Sequence, residues 1–259
     1  MVLTKKQIRQ FLLYTFGMTF LLHGILAVLT NKNIIILDNP IAMLLYVLGT
    51  LSPTIIAYIL LKKYEIIEGF QSFLKTIFSF KVKTVSYLLV ALLLIAQYIY
   101  VMFEWNIFTD FAWFMPIVMF FLCVFDGGLE EVGWRYLLQV TLMKKYSFII
   151  STTITAITWF LWHIPHFFII GSSQNSMDPL IFFMVILSGS FALAAAYYIS
   201  NNILICILLH AAFNAGSFIF PFTQNYVIMG VSTACSITVS LVIVFFHKKY
   251  NNKSNKGVV

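Results

Sequence analysis

FFLCVFDGGLEEVGWR, residues 120–135, decides how this chain folds, because it places charged side chains inside a run that is otherwise apolar. A carboxylate or guanidinium in the bilayer interior is unfavourable by at least ~2.5 kcal/mol on insertion scales, so such residues normally face the protein interior. We therefore expect Glu130, Glu131 and Arg135 to form or support a buried polar site.

The composition indicates a polytopic membrane protein. Hydrophobic residues make up 61% of the chain and charged residues 10%, with a mean hydropathy of +0.94, whereas soluble domains carry about a quarter charged residues. We predict an all-α fold with eight transmembrane helices in one domain, residues 1–259, whose motif-bearing core covers about 112–221. The predicted spans, each near the required ~20 residues, are 8–30, 40–61, 84–103, 112–126 with a continuation to 139, 147–170, 180–199, 202–221 and 226–246.

The distribution of charge predicts the orientation. One set of loops and termini carries nearly all the basic residues: Lys5, Lys6, Arg9, Lys62, Lys63, Lys75, Lys81, Lys83, Lys144, Lys145, Lys248, Lys249, Lys253 and Lys256. The alternate loops carry Lys32, Asp38, Glu104, Asp110 and Asp178. The positive-inside rule then places both termini in the cytoplasm. The net charge of +7 thus indicates anionic lipid as the partner of the lysines and excludes nucleic acid.

Two other features carry no predicted chemistry. Cys123, Cys206 and Cys235 have no paired spacing, so we expect small apolar core residues. Apolar residues recur at helical spacing through residues 70–78, which predicts an amphipathic helix in the cytoplasmic interface.

The acidic residues are expected to have different roles. Glu131 and Arg135 stand at i and i+4, so they lie on one helix face and are predicted to pair. Glu130 points elsewhere, and burial suits a carboxylate to take and return a proton. Glu130 is our candidate general base, and a purely structural ion-pair network is the alternative. Asp126 is either a second acid of the pocket or, as we prefer, a residue near the exofacial end of a helix.

Histidines and an amide occur in two further helices. His163 stands one helical turn after Trp159 and is either catalytic or a core residue, whereas His166 fits a core or interfacial role. His210 and Asn214 share a helix face at i and i+4. They could hold a water or a metal, stabilise an oxyanion, or form only an interhelical hydrogen bond.

Glu130-Glu131-x-x-x-Arg135, Trp159-x-x-x-His163 and His210-x-x-x-Asn214, in this order, resemble the three signature motifs of the CAAX-protease and bacteriocin-processing (CPBP or Abi) family. That family includes the type II CAAX prenyl endopeptidase. The second motif often begins with phenylalanine, where this chain has a tryptophan. The resemblance covers about residues 112–221.

The resemblance implies an intramembrane endopeptidase. Glu130 and His163 would activate a water, His210 and Asn214 would stabilise the oxyanion or help to hold the water, and Glu131, Arg135 and Trp159 would support them. The family is commonly described as metal-dependent, so zinc held by Glu130, His163 and His210 is a candidate cofactor. Neither His-Glu-x-x-His nor its inverse is present, and the same residues could position water without metal.

Two other classes of function remain open. A bacteriocin self-immunity or scaffold protein could use the same fold to bind a peptide without cutting it, although the complete motif set argues against this. A carrier could use intramembrane acids and histidines as a relay, but no inverted repeat is evident. In a bacterial cell membrane, a leader peptide, a pheromone precursor or a membrane-protein segment is a more plausible substrate than a prenylated protein.

Overall fold

A computed structural model describes residues 3–105 and 107–254, with the side chains of 251–254 left out, so Lys256 of the predicted basic tail lies outside it. The described residues are helical with no strand, which confirms the all-α prediction. The α-helices are α1 Lys5–Asn31, α2 Pro40–Thr50, α3 Ser52–Lys63, α4 Phe70–Ile77, α5 Thr84–Gln97, α6 Met115–Phe125, α7 Val140–Leu142, α8 Phe148–Trp162, α9 Pro179–Ser200, α10 Ile203–Ser217 and α11 Tyr226–Ser254. Short 3₁₀ helices cover Ile99–Met102, Gly128–Glu130, Ile164–Phe168 and Ser173–Ser176, and a π-helix covers Val132–Gln139.

Local sequence signals explain where several helices begin. Each has a polar residue at its N-cap whose side chain accepts a hydrogen bond from a first-turn amide, which satisfies a donor that the helix itself leaves free. These caps are Thr4, Asn39, Ser147, Asp178 and Asn202.

The predicted number of spans is not confirmed. Within the described residues, four helices are long and apolar enough to cross a membrane, or five if α2 and α3 form one span bent by 51°. Helices α5 and α10 are apolar but shorter. The hydropathy pattern could not anticipate this, because an apolar run continues unchanged through a bend or a 3₁₀ turn.

The motif-bearing span from 112 to 139 is not the continuous helix that the sequence predicted. Helix α6 ends at Phe125, and Gly127 adopts φ +119°, a backbone conformation that favours glycine. A 3₁₀ turn then carries Glu130, and the π-helix that follows carries Arg135. π-Helices are rare and often occur at functional sites.

Contacts between loops define two opposite ends of the bundle. At the end that we call the cavity end, segments 31–39, 98–105, 107–114, 168–178 and 217–226 meet. Examples are Asn31 Nδ2 donating to Phe168 O (2.6 Å), Tyr100 OH to Phe220 O (2.7 Å) and Phe108 N to Ile219 O (2.9 Å). At the other end, the basic end, segments 3–10, 62–83, 141–148, 197–202 and 247–250 meet. Examples are Leu3 N donating to Thr141 Oγ1 (3.3 Å) and Asn202 Nδ2 to Ser79 O (2.7 Å).

Small residues bring the central helices together. Residues 188–196 of α9 are all buried, as expected for close packing. On α4, Phe73 and Ile77 are buried whereas Gln71 and Lys75 are exposed, which agrees with the predicted amphipathic helix, although Phe70 of its apolar face is exposed. All three cysteines are free; Cys123 and Cys206 are buried, and Cys235 is partly buried.

Candidate active site

A cavity of about 590 Å³ lies among α6, α8 and α10. Its walls include Glu130, His163, His210 and Asn214, the four predicted catalytic residues, together with Trp159. The three motifs, up to 84 residues apart between Glu130 and Asn214, therefore meet at one place. Glu130, His163 and His210 are each at most 6% exposed, so their polar atoms depend on the protein and on the cavity for partners.

The predicted Glu131–Arg135 pair is present and fully buried. Arg135 Nε donates to Glu131 Oε2 at 2.8 Å, and Arg135 Nη2 donates to Ser190 Oγ at 3.2 Å. The second Glu131 oxygen lies 2.9 Å from His210 Nδ1. Glu131 is therefore more than the partner of an arginine, because it also fixes the orientation of His210.

Glu130 has different surroundings from its neighbour. No salt bridge to Glu130 occurs among residues 3–105 and 107–254. Its Oε2 accepts a hydrogen bond from Trp159 Nε1 at 2.8 Å. A carboxylate has two oxygens with about four lone-pair sites, so acceptor capacity remains for the cavity. Trp159 thus provides a donor that a phenylalanine at this position could not.

Trp159 is also the packing centre of the site. Its ring centroid lies 5.5 Å from that of His163 and 5.3 Å from that of His210, and Arg135 Cζ lies 5.4 Å from the ring. The indole therefore contacts a residue from each motif and packs against both imidazoles.

The hydrogen bonds of the two imidazoles determine their tautomers. His163 Nδ1 lies 2.8 Å from Trp159 O, and a carbonyl can only accept, so Nδ1 carries the proton. His210 Nδ1 faces the Glu131 carboxylate, and the same argument applies. In the neutral form of each ring, Nε2 is then the unprotonated atom, and it is free to accept a hydrogen bond from a ligand in the cavity.

Asn214 and Gly127 complete the wall beside His210. Asn214 is partly buried, and its Nδ2 donates to Asp126 O at 3.3 Å, which leaves a second amide hydrogen. A Cβ atom added to Gly127 would collide with Asn214 Nδ2 and lie 3.1 Å from His210 Nε2. A side chain at position 127 would thus occupy the space in front of both groups, where a ligand atom would have to sit.

The structure adds residues that the motifs did not single out. Asp126 follows the last residue of α6 and lines the cavity, which agrees with the alternative that it is an acid of the pocket. It lies at the end of α6 remote from the loop that precedes this helix, so the preferred placement near the exofacial end of a helix is wrong. His166 is 2% exposed and lines the cavity as well, so it is not an interfacial anchor. Its ring lies 4.3 Å from that of His23 on α1, which is fully buried. The sequence feature that could have identified His23 is an ionisable residue within an apolar span.

The predicted zinc ligands do not form a recognisable metal centre. Among the described residues, no three His, Cys, Asp or Glu side chains are grouped so that they could hold a metal ion. Glu130 Oε2 is engaged by the Trp159 indole instead. The present arrangement thus does not fit a three-ligand zinc site, and zinc binding stays a prediction.

A buried acid, two imidazoles and an amide around a cavity, within apolar helices, define an integral membrane protein with a site suited to hydrolysis. Two comparisons with known proteins point to the same kind of enzyme. The family model "Type II CAAX prenyl endopeptidase Rce1-like" matches residues 111–216. CAAX prenyl protease 2 of Methanococcus maripaludis is 26% identical over 230 residues, which cover 81% of this chain and 83% of that protein. These matches confirm the resemblance to the type II CAAX prenyl endopeptidases and support an intramembrane endopeptidase.

Proposed function

We propose that this protein hydrolyses a peptide bond of a membrane-associated peptide or protein by attack of an activated water. One observation carries the proposal. Each of the four motif residues Glu130, His163, His210 and Asn214 has one polar atom engaged by the protein, while a second hydrogen-bonding group on the same side chain remains for the cavity. Such fixed but unsaturated groups are what preorganised catalysis requires.

In the proposed reaction, Glu130 takes one proton from the water. His163 Nε2 accepts a hydrogen bond from the other hydrogen of the same water and so orients the water. The resulting hydroxide adds to the carbonyl carbon. Asn214 Nδ2 donates to the oxyanion, and His210 Nε2 does so when the ring is doubly protonated, with its charge compensated by Glu131. Glu130 then gives its proton to the leaving nitrogen as the C–N bond breaks, which releases an amine and a carboxylic acid. The second water proton leaves on that acid, which ionises in solution.

Attack by water is preferred to an acyl-enzyme because neither imidazole contacts a candidate nucleophile. In the described part of the chain, His163 and His210 use Nδ1 on a backbone carbonyl and on Glu131. A serine or cysteine nucleophile needs a histidine within hydrogen-bonding reach. Cys123 lines the cavity, but it has no such partner among these hydrogen bonds.

We further propose that the protein resides in a bacterial cell membrane with both termini in the cytoplasm. The concentration of lysine at the basic end supports this orientation.

The test is cleavage of a quenched-fluorescence peptide by purified protein in detergent, with Glu130→Gln as the variant. The change keeps the size and the acceptor for Trp159 but removes the base, so we expect turnover to fall by ~10²–10⁴-fold. Thermal stability should stay close to that of the wild type. Wild-type turnover by this variant would remove Glu130 from the mechanism, and peptide binding without any cleavage by the wild type would favour a non-proteolytic protein.

Metal dependence is tested on the same preparation. If zinc is held by Glu130, His163 and His210, elemental analysis should find about one zinc per chain. A strong chelator should then abolish cleavage, and added zinc should restore it. Full activity without bound metal would leave the glutamate and histidine mechanism as the better account.

A further inference from the structure

The cavity is accessible from only one of the two ends of the bundle in the described chain. Its outer walls are loop residues of the cavity end, among them Asp110, Ser173, Met177 and Gln224. Asp110, Ser173 and Gln224 are exposed. No residue of the basic end, within the described ranges, lines the cavity. A water-soluble segment therefore reaches Glu130 past the loops of the cavity end.

The two ends carry opposite charge. The cavity end has Lys32 against Asp38, Glu104, Asp110 and Asp178, whereas the basic end has Glu65 and Glu68 against the following basic residues. These are Lys5, Lys6, Arg9, Lys62, Lys63, Lys75, Lys81, Lys83, Lys144, Lys145, Lys248 and Lys249. Because lysine and arginine accumulate in cytoplasmic loops, the basic end faces the cytoplasm and the cavity end faces away from it. The sequence supplies the charges, but only the fold shows which end the cavity uses.

The ionisable side chains of the cavity also limit what it can bind. Asp110, Asp126 and Glu130 line it together with three histidines, and no lysine or arginine does so in the described chain. A CAAX sequence is a C-terminal tetrapeptide, so it presents a free carboxylate close to the cleaved bond. Among its described lining residues, this cavity has no permanent cation to pair with that carboxylate. Its acidic groups instead favour a basic side chain.

We propose that the site takes internal peptide segments presented at the non-cytoplasmic face of the membrane and prefers segments with a basic residue near the cleaved bond. The inference rests on the proposed endopeptidase activity and names its substrate class. Substrates of this kind are peptides that have been exported or the outer juxtamembrane segments of membrane proteins.

The first experiment tests the orientation. Cys123, Cys206 and Cys235 are replaced by alanine, and single cysteines are introduced as Lys32→Cys at the cavity end or Lys144→Cys at the basic end. Both positions are exposed and neither lines the cavity. A membrane-impermeant maleimide should label Lys32→Cys in intact spheroplasts and Lys144→Cys only after lysis. The reverse pattern would overturn the inference.

The second experiment tests access and preference. Two quenched peptides differ only in a central arginine or glutamate, and they are added outside proteoliposomes whose orientation is measured by the same labelling. Cleavage should scale with the fraction of molecules whose cavity end faces outward, and kcat/KM should be higher for the arginine peptide. Asp110→Asn should reduce that preference by about two- to fivefold. The control Asp38→Asn, an acid of the same end that does not line the cavity, should leave it unchanged.

The outcomes separate the two proposals. If the wild type cleaves neither peptide in detergent, the endopeptidase proposal fails, and this inference fails with it. If it cleaves in detergent but only the molecules with the basic end outward cleave in vesicles, the activity stands and the inference about the side of access is wrong. An equal rate for the two peptides, unchanged by Asp110→Asn, would contradict the preference for a basic residue.

Discussion

Two buried polar clusters within this helix bundle use their hydrogen-bonding groups in opposite ways. The first, which we call the amide clamp, consists of Gln97 on α5, Ser188 on α9 and Ser236 on α11. Gln97 Nε2 donates to Ser236 Oγ, and Gln97 Oε1 accepts from Ser188 Oγ at 3.1 Å. The second, the cavity cluster, consists of Glu130, His163, His210 and Asn214.

The amide clamp satisfies its polar groups internally, and the void beside Gln97 measures about 10 Å³, at the lower limit for one water. The cavity cluster fixes one group of each side chain and leaves another toward a space of about 590 Å³. Burial of polar residues alone therefore does not identify a chemical site. Unsaturated hydrogen-bonding groups facing a space that a ligand can fill do identify one.

Asn214→Ala should lower activity far more than a matching change in the amide clamp, and this is the largest difference that we expect. Losing one oxyanion donor costs ~10²–10³-fold in kcat with little change in KM. The matched control is Gln97→Ala, which also removes a hydrogen-bonded amide but should leave kcat unchanged. Steady-state kinetics in detergent at equal concentrations of folded protein make the comparison. If both variants lose only stability, Asn214 is an interhelical hydrogen bond like the clamp.

Glu131→Gln should lower both the stability and the activity of the protein. Glu131 accepts from Arg135 and from His210, so a neutral amide weakens the buried pair and releases the imidazole. We expect a lower melting temperature and a ~10–100-fold loss of activity, as is typical when the residue that orients a site histidine is removed.

Ser190→Ala serves as the control for Glu131→Gln, because it removes only the outer contact to Arg135. It should lower stability slightly and leave activity intact. A Glu131→Gln variant that loses stability while each folded molecule keeps full activity would show that Glu131 supports Arg135 alone, as the sequence had indicated.

Trp159→Phe should have a smaller effect, because it keeps an aromatic ring packed against both imidazoles and removes only the donor to Glu130. Hydrogen bonds to charged groups contribute about 1.5–3 kcal/mol, and part of this loss should appear as a roughly tenfold lower kcat. Trp159→Ala, which also removes the packing, should be worse in both activity and melting temperature. Unchanged activity of Trp159→Phe would assign the residue a packing role only.

Gln97→Leu should have the smallest effect on function. Interhelical hydrogen bonds in membranes contribute about 0.6–2 kcal/mol, so the free energy of unfolding should fall by that order while the rate per folded molecule stays constant. Thermal unfolding and kinetics on one preparation provide the measurement. A specific loss of activity would mean that the clamp and the cavity cluster are coupled.

The sequence by itself determined the class of fold, and it predicted a set of site residues whose catalytic roles stay a prediction. Composition required membrane helices, and the helical spacings of Glu131 with Arg135, Trp159 with His163 and His210 with Asn214 identified residues that the structure brings to one site. The pairs on one helix face could be inferred because i, i+4 geometry and the cost of burying charge are local properties that a single chain segment displays. The grouping of the three motifs followed from the family resemblance.

Only the tertiary structure decided what each of these groups touches. The bond from Glu131 to His210 spans 79 residues and the bond from Trp159 to Glu130 spans 29, and no local periodicity encodes such a pairing. The break at Gly127 and the π-helix after Glu131 were equally hidden, because hydropathy does not record backbone dihedral angles. The end at which the cavity opens depends on how several loops pack together. The charge distribution therefore predicts the side of access only when the fold is known.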